Sequence, residues 1–159
     1  SPVAAMAFCG AFFLPGVAAW ALPIGCLVVS DIVLSLALGF PVVSAAQLSA
    51  WAGITLVVAL GRFFATRGWG NTGAVLGGVL GGGVVFYLVT NAASWLMNPA
   101  YPRGVEGLWM SLTTGLPGFP PTWMFFRNSI ASDLIFAGLI LLVHAVVSLA
   151  GSRHAVRHA

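Results

Sequence analysis

Lysine is absent from this chain, and its whole charged inventory is six arginines, two aspartates and one glutamate. A surface facing water normally gives about a quarter or more of its residues to charged side chains; here the charged share is 6%, so a soluble fold is excluded. The formal net charge of +3 does not point to nucleic acid either. Arg62, Arg67, Arg103, Arg127, Arg153 and Arg157 are scattered, with no basic stripe and no reader motif, so nucleic acid is not expected as a partner. Cysteine is nearly missing: Cys9 and Cys26 lie inside apolar segments, with no second ligand at metal-binding spacing, so neither a disulfide framework nor a metal site is indicated. No Gly-Lys-Ser/Thr phosphate loop, HExxH pair, Ser-His-Asp pattern or paired catalytic carboxylates occur. The chain therefore cannot use ATP by itself, no cofactor is implied, and an enzyme is not expected.

What is present is apolar: 60% of the residues are hydrophobic, and the mean hydropathy is +1.03. A bilayer core of about 30 Å requires roughly 20 apolar residues as helix, because each backbone amide must find its partner without water. Val17 to Leu38, Ser44 to Phe64, Thr72 to Met97 and Phe125 to Leu149 meet that requirement. Two stretches are shorter. Val3 to Leu14 is apolar and ends at Pro15-Gly16; residues missing upstream would lengthen it to a full span. Gly104 to Leu116 carries Glu106, Ser111, Thr113 and Thr114 and fits a steep short span, a re-entrant helix or an interfacial one. The expected fold is an all-α, polytopic transmembrane bundle of six helices, four full spans and two short ones, surrounded by lipid.

Gly39-Phe40-Pro41, Thr66 to Asn71, Asn98 to Pro102 and the proline-rich Leu116 to Pro121 punctuate these segments. One transmembrane domain, residues 1–150, is followed by a polar, basic tail, residues 151–159. Because the chain opens on Ser1 rather than Met, either its start has been trimmed or the sequence begins late, and the lack of a leader carries little weight. Six crossings would put Arg103, Arg153 and Arg157 on one side and Arg62, Arg67 and Arg127 on the other. Five crossings, with Gly104 to Leu116 not spanning, gather Arg62, Arg67, Arg153 and Arg157 together, which the cytoplasmic bias of positive charge favours.

A few residues stand out against the apolar background. Gly73, Gly77 and Gly81 recur every fourth residue beside Gly78 and Gly82, a ridge that lets helix backbones approach closely in lipid. Ala7 and Ala11 form a second small-residue pair, fit for internal packing or for docking another membrane subunit. Asp31 and Asp133 fall within spans, where a carboxylate costs roughly 2.5–3.5 kcal/mol to insert and usually faces the bundle interior. Arg127 is too far from Asp133 along the helix for a favoured pairing, so both carboxylates are expected to find partners on other helices, for structure or for handling a ligand or proton. His144 is a lone intramembrane histidine and reads as a packing residue. Asn91, Trp95, Asn98, Tyr101, Arg103, Glu106 and Trp109, continued by Trp123, Arg127 and Asn128, suit an interfacial aromatic belt or the mouth of a pocket that clasps a ring-bearing molecule.

The runs PVAAMAFCGAFFLPGVAAWALPIGCLVVSDIVL, FYLVTNAASWL with the later Tyr101-Pro102, and FFRNSIASDLIFAGLIL resemble a bacterial integral-membrane family of unknown function, over nearly the whole chain. More distantly, the chain resembles the S components of energy-coupling-factor vitamin transporters. That likeness rests on the small-xxx-small pair Ala7 and Ala11, the Gly10 to Gly16 turn, and the Asn128 to Asp133 start of the last helix. It implies six crossings with a cytoplasmic N-terminus, in the cytoplasmic (inner) membrane of a bacterium. It implies docking of Ala7 and Ala11 on an ATP-driven membrane partner, and a small-molecule pocket involving Trp95, Trp123, Arg127 and Asn128. With Asn91 from the polar cluster, these five are the expected substrate-binding residues. The expectation is therefore a vitamin-binding component of an uptake transporter. Two rivals remain: an accessory subunit of a larger membrane complex, and a membrane enzyme built on Asp31, Asp133, Glu106 and His144.

Overall fold

The computed structural model describes the backbone of residues 2–157 and the side chains of residues 2–150. Six helices follow one another: α1 (Val3–Phe13), α2 (Ala18–Leu38), α3 (Ala45–Thr66), α4 (Thr72–Met97), α5 (Val105–Leu112) and α6 (Thr122–Arg157). Four of them, α2, α3, α4 and the Thr122–Ala150 part of α6, are long and apolar enough to cross a membrane. The expected all-α bundle of four full spans and two short helices is thus the observed one. The side chains of the tail, residues 151–159, lie outside the described residues; its backbone continues α6 as far as Arg157.

Local chemistry places the helix ends. Ser44 and Asn71 sit in extended conformation before α3 and α4, and each side-chain oxygen accepts an otherwise orphaned amide, from Gln47 and Ala74 respectively. Gly39 ends α2 in the left-handed region at φ 71°, which lets Phe40 N–H reach back to the Ser35 carbonyl.

The core is organised around α1, which packs against α2, α3, α4 and α6. Its Ala4, Ala5, Ala7, Phe8, Cys9 and Ala11 are all buried. Small side chains there bring the neighbouring backbones in, and glycines on α3 and α4 receive what protrudes. A Cβ added at Gly78 would stand 2.2 Å from Phe8 Cζ, and one at Gly82 would stand 3.0 Å from Val57 Cγ1. Gly77, in contrast, faces open space. The glycine-rich stretch of α4 thus carries two faces, with Gly78 and Gly82 serving the interior. Outward positions such as Val29, Val33 and Leu36 on α2, and Ile135, Leu139 and Leu142 on α6, are exposed and apolar, as a lipid-facing surface requires.

At a rise of 1.5 Å per residue, α5 extends roughly 12 Å and α1 roughly 16 Å, against a core of about 30 Å. Over the described residues neither is long enough to span that core. The end of α1 meets the end of α3 through Arg62 and lies beside the α3–α4 turn, where Phe12 approaches Gly70. The first turn of α1 meets Asp133 on α6, close to Gly83 in the middle of α4. The α1–α2 turn and the α3–α4 turn therefore share one face of the bundle. The α2–α3 turn, α5 and the start of α6 occupy the other.

Candidate functional site

The two ends of α1 show how the intramembrane charges are used. The first amides of a helix lack internal partners and carry about half a positive charge in aggregate. Asp133, 1% exposed, meets them from α6, with Oδ1 accepting the Ala5 N–H at 2.9 Å. At the far end, the orphan carbonyls of Ala11 and Leu14 accept from Arg62 of α3, at 3.3 and 3.2 Å. A short helix is thus capped at both poles by charges of the favourable sign, supplied by two other helices.

Asp31 is held differently. Its Oδ2 accepts the Trp51 indole N–H at 2.7 Å, and a turn away the Gln47 amide donates to Ser35 Oγ at 2.7 Å. This polar seam ties α2 to α3. Among the described residues neither Asp31 nor Asp133 is paired with an arginine. Both do meet groups on other helices, as their positions within spans led one to expect.

Asp133 also borders a cavity of about 350 Å³. Val3 and Ala4 of α1, Leu27 of α2, the Gly83 to Asn91 face of α4 and the Thr122 to Asp133 face of α6 enclose it. Its aromatic walls are Phe86, Tyr87, Phe125 and Phe126, with the Tyr87 and Phe126 rings 4.5 Å apart. The polar lining comes from Thr90, Asn91, Thr122, Ser129 and Asp133. Thr90 spends its hydroxyl on the α4 backbone, while Asn91 donates its Nδ2 to the Tyr87 carbonyl. That bond orients the Asn91 amide and leaves Oδ1 as an acceptor. The Tyr87 hydroxyl donates to the Leu112 carbonyl, tying the end of α5 to this wall.

The sequence-derived site residues divide between this cavity and two other places. Asn91 lines the cavity. Trp95 donates its indole N–H to the Pro102 carbonyl, and Arg103 donates to the carbonyls of Trp95 and Leu96, so this group folds the α4–α5 loop back onto α4. Trp123, Arg127 and Asn128 form an exposed trio: the Arg127 guanidinium lies 5.3 Å from the Trp123 ring centre, and its Nε donates to Asn128 Oδ1 at 3.4 Å. Trp95, Trp123, Arg127 and Asn128 do not line the cavity. Ala7 and Ala11 are 2% and 0% exposed, packed inside the bundle, so in this conformation the pair presents no surface to another subunit. Glu106 is exposed on the first turn of α5, and His144 is exposed, with its ring 4.8 Å from that of Phe13.

Sequence reasoning missed Phe86, Tyr87, Thr90, Thr122, Phe125, Phe126 and Ser129. Their signal is helical periodicity. Tyr87, Thr90 and Asn91 stand at i, i+3 and i+4, and Thr122, Phe126, Ser129 and Asp133 recur every three or four residues, which places each set on one helix face.

Fold and site together define a polytopic α-helical membrane protein with a partly open, aromatic-walled cavity between its helices that carries a few polar groups. Within that class, the chain belongs to a family of unknown function, DUF6580, whose model matches residues 1–155. No curated protein and no solved structure matches it.

Proposed function

We propose that this protein is the small-molecule-binding component of a membrane uptake system and captures a ring-bearing, vitamin-like compound. The observation that carries this reading is the cavity between α1, α4 and α6. Four aromatic side chains face a short list of oriented polar groups, the composition by which small-molecule sites combine affinity with orientation. A polar lining in a lipid-embedded bundle is expensive, and among the described residues Asn91 and Ser129 close no helix–helix bond in return. The distant likeness to S components supports the same reading and supplies its mechanism: binding in the bundle, then reorientation driven by an ATP-using membrane partner. With Ala7 and Ala11 buried, that partner would engage another surface. The face bearing the α1–α2 and α3–α4 turns carries Arg62 and Arg67 and receives the arginine-bearing end of α6, and the bias of positive charge supports the reading that this face is the cytoplasmic one in a bacterial inner membrane.

A second reading, an accessory subunit of a larger complex, draws on Gly77, a small residue with open space beside it on the outside of α4. The two are separated by titrating the purified protein in nanodiscs with a panel of vitamins and corrinoids. The transport reading expects saturable binding that is weakened by Asn91→Leu and by Phe126→Leu. Absence of saturable binding across the panel, with stable co-purification of a larger complex, would favour the accessory subunit.

A further inference from the structure

Resting on the cavity reading above, we infer that the ligand class is a compact cation: a ring with a short arm ending in a protonated amine, its charge directed at Asp133.

Asp133 is the one carboxylic acid among the cavity's described lining residues, and no arginine or histidine joins it there. The nearest arginine in sequence, Arg127, is turned away to Trp123 and Asn128. The first turn of α1 offsets part of the Asp133 charge, but a helix terminus amounts to only about half a unit. A carboxylate in its charged form carries a full unit, so the helix terminus alone compensates only part of it and an ammonium group beside it would complete the compensation. Oδ1 is committed to the Ala5 amide, while Oδ2 lies on the Gly83 side of the group, at the α4 wall of the cavity.

The remaining lining fits the same charge. Phe86, Tyr87, Phe125 and Phe126 line the cavity, and aromatic rings attract cations through their quadrupoles, most strongly where water is excluded. Asn91 Oδ1 and the hydroxyls of Thr122 and Ser129 add neutral acceptors. An anionic ligand would meet the opposite: a carboxylate at 1% exposure, with no arginine or histidine among the described lining residues to compensate its desolvation. A volume of about 350 Å³ lies near the lower end of the range for small-molecule sites, which limits the ligand to a single ring system with a short arm.

The test uses three probes of one skeleton that differ in charge: phenethylamine, phenethyl alcohol and phenylpropionate. Each is titrated calorimetrically into the full chain in nanodiscs of neutral lipid, where adsorption to the bilayer is not driven by charge. The expected order is amine over alcohol, with no saturable binding of the carboxylate. Asp133→Asn keeps an oxygen for the Ala5 amide but removes the charge. It is expected to weaken the amine by about tenfold to a hundredfold, and to leave the alcohol nearly unchanged. Should that variant not fold, Phe126→Leu retains the charge and removes one ring face, and is expected to weaken the amine several-fold more than the alcohol. If alcohol or carboxylate binds as tightly as the amine, at a site sensitive to Asn91→Leu, the cavity reading survives and the cationic class is refuted. If none of the three saturates the protein, the inference is also overturned, and the cavity reading is judged on the vitamin panel alone.

Discussion

Gly61 offers the sharpest test of how this bundle is packed. A methyl group built there would lie 2.6 Å from the Phe8 carbonyl oxygen and 3.0 Å from Ala11 Cβ. Both belong to a buried helix, and the nearer atom is backbone, which cannot rotate away. Gly61→Ala must therefore push α1 and α3 apart, straining the hydrogen bonds that Arg62, the next residue, makes to Ala11 and Leu14. Forcing a methyl into a filled interior typically costs about 1–3 kcal/mol. An alanine also favours helix over glycine by about 1 kcal/mol, a gain that would mask part of the loss. Gly77→Ala supplies the control, because its added methyl meets nothing within 4 Å and takes the same helix-propensity gain. The difference between the two variants isolates the clash. At about 2–4 °C per kcal/mol for a chain of this size, Gly61→Ala should melt roughly 2–12 °C below Gly77→Ala, read by tryptophan fluorescence in detergent. Ala11→Gly should not rescue it, since the closest contact is the Phe8 oxygen. A Gly61→Ala protein melting at or above Gly77→Ala would refute the α1–α3 packing described here.

Two further outcomes follow from the polar contacts and the topology. Trp51→Phe removes the indole donor while keeping an aromatic ring, leaves Asp31 Oδ2 without that partner, and should cost about 1–3 kcal/mol in thermal unfolding; no change would mean that the α2–α3 seam does not contribute. In a background lacking Cys9 and Cys26, Trp69→Cys and Phe119→Cys should be labelled by an impermeant maleimide from opposite sides of sealed vesicles, and labelling from the same side would show that α5 completes a crossing.

The helices were legible because bilayer physics writes itself into length and composition. Thr72 to Met97 reads as a span from its apolar run alone, and the polar caps Ser44 and Asn71 mark helix starts locally. Asp31 and Asp133 were recognisable as inward-facing because an intramembrane carboxylate without partners is too costly to keep. The polar-aromatic cluster around Trp95 and Trp123 could not be resolved in the same way. Residues near in sequence served three different purposes: Asn91 turns to the cavity, Trp95 bonds the loop at Pro102, and Trp123 stacks with Arg127 on the outside.

Composition and the length of the apolar runs determined that this chain lives in lipid as an all-helical bundle with four full spans, since uninterrupted runs of about 20 apolar residues satisfy their amides there as helices. Tertiary structure alone decided what the small and charged residues are for. Whether Ala7 and Ala11 face a partner or the core depends on which helices surround α1. Whether Asp133 answers an arginine or a helix terminus depends on a contact 128 residues away in sequence, and such contacts leave no local signature from which they could be read.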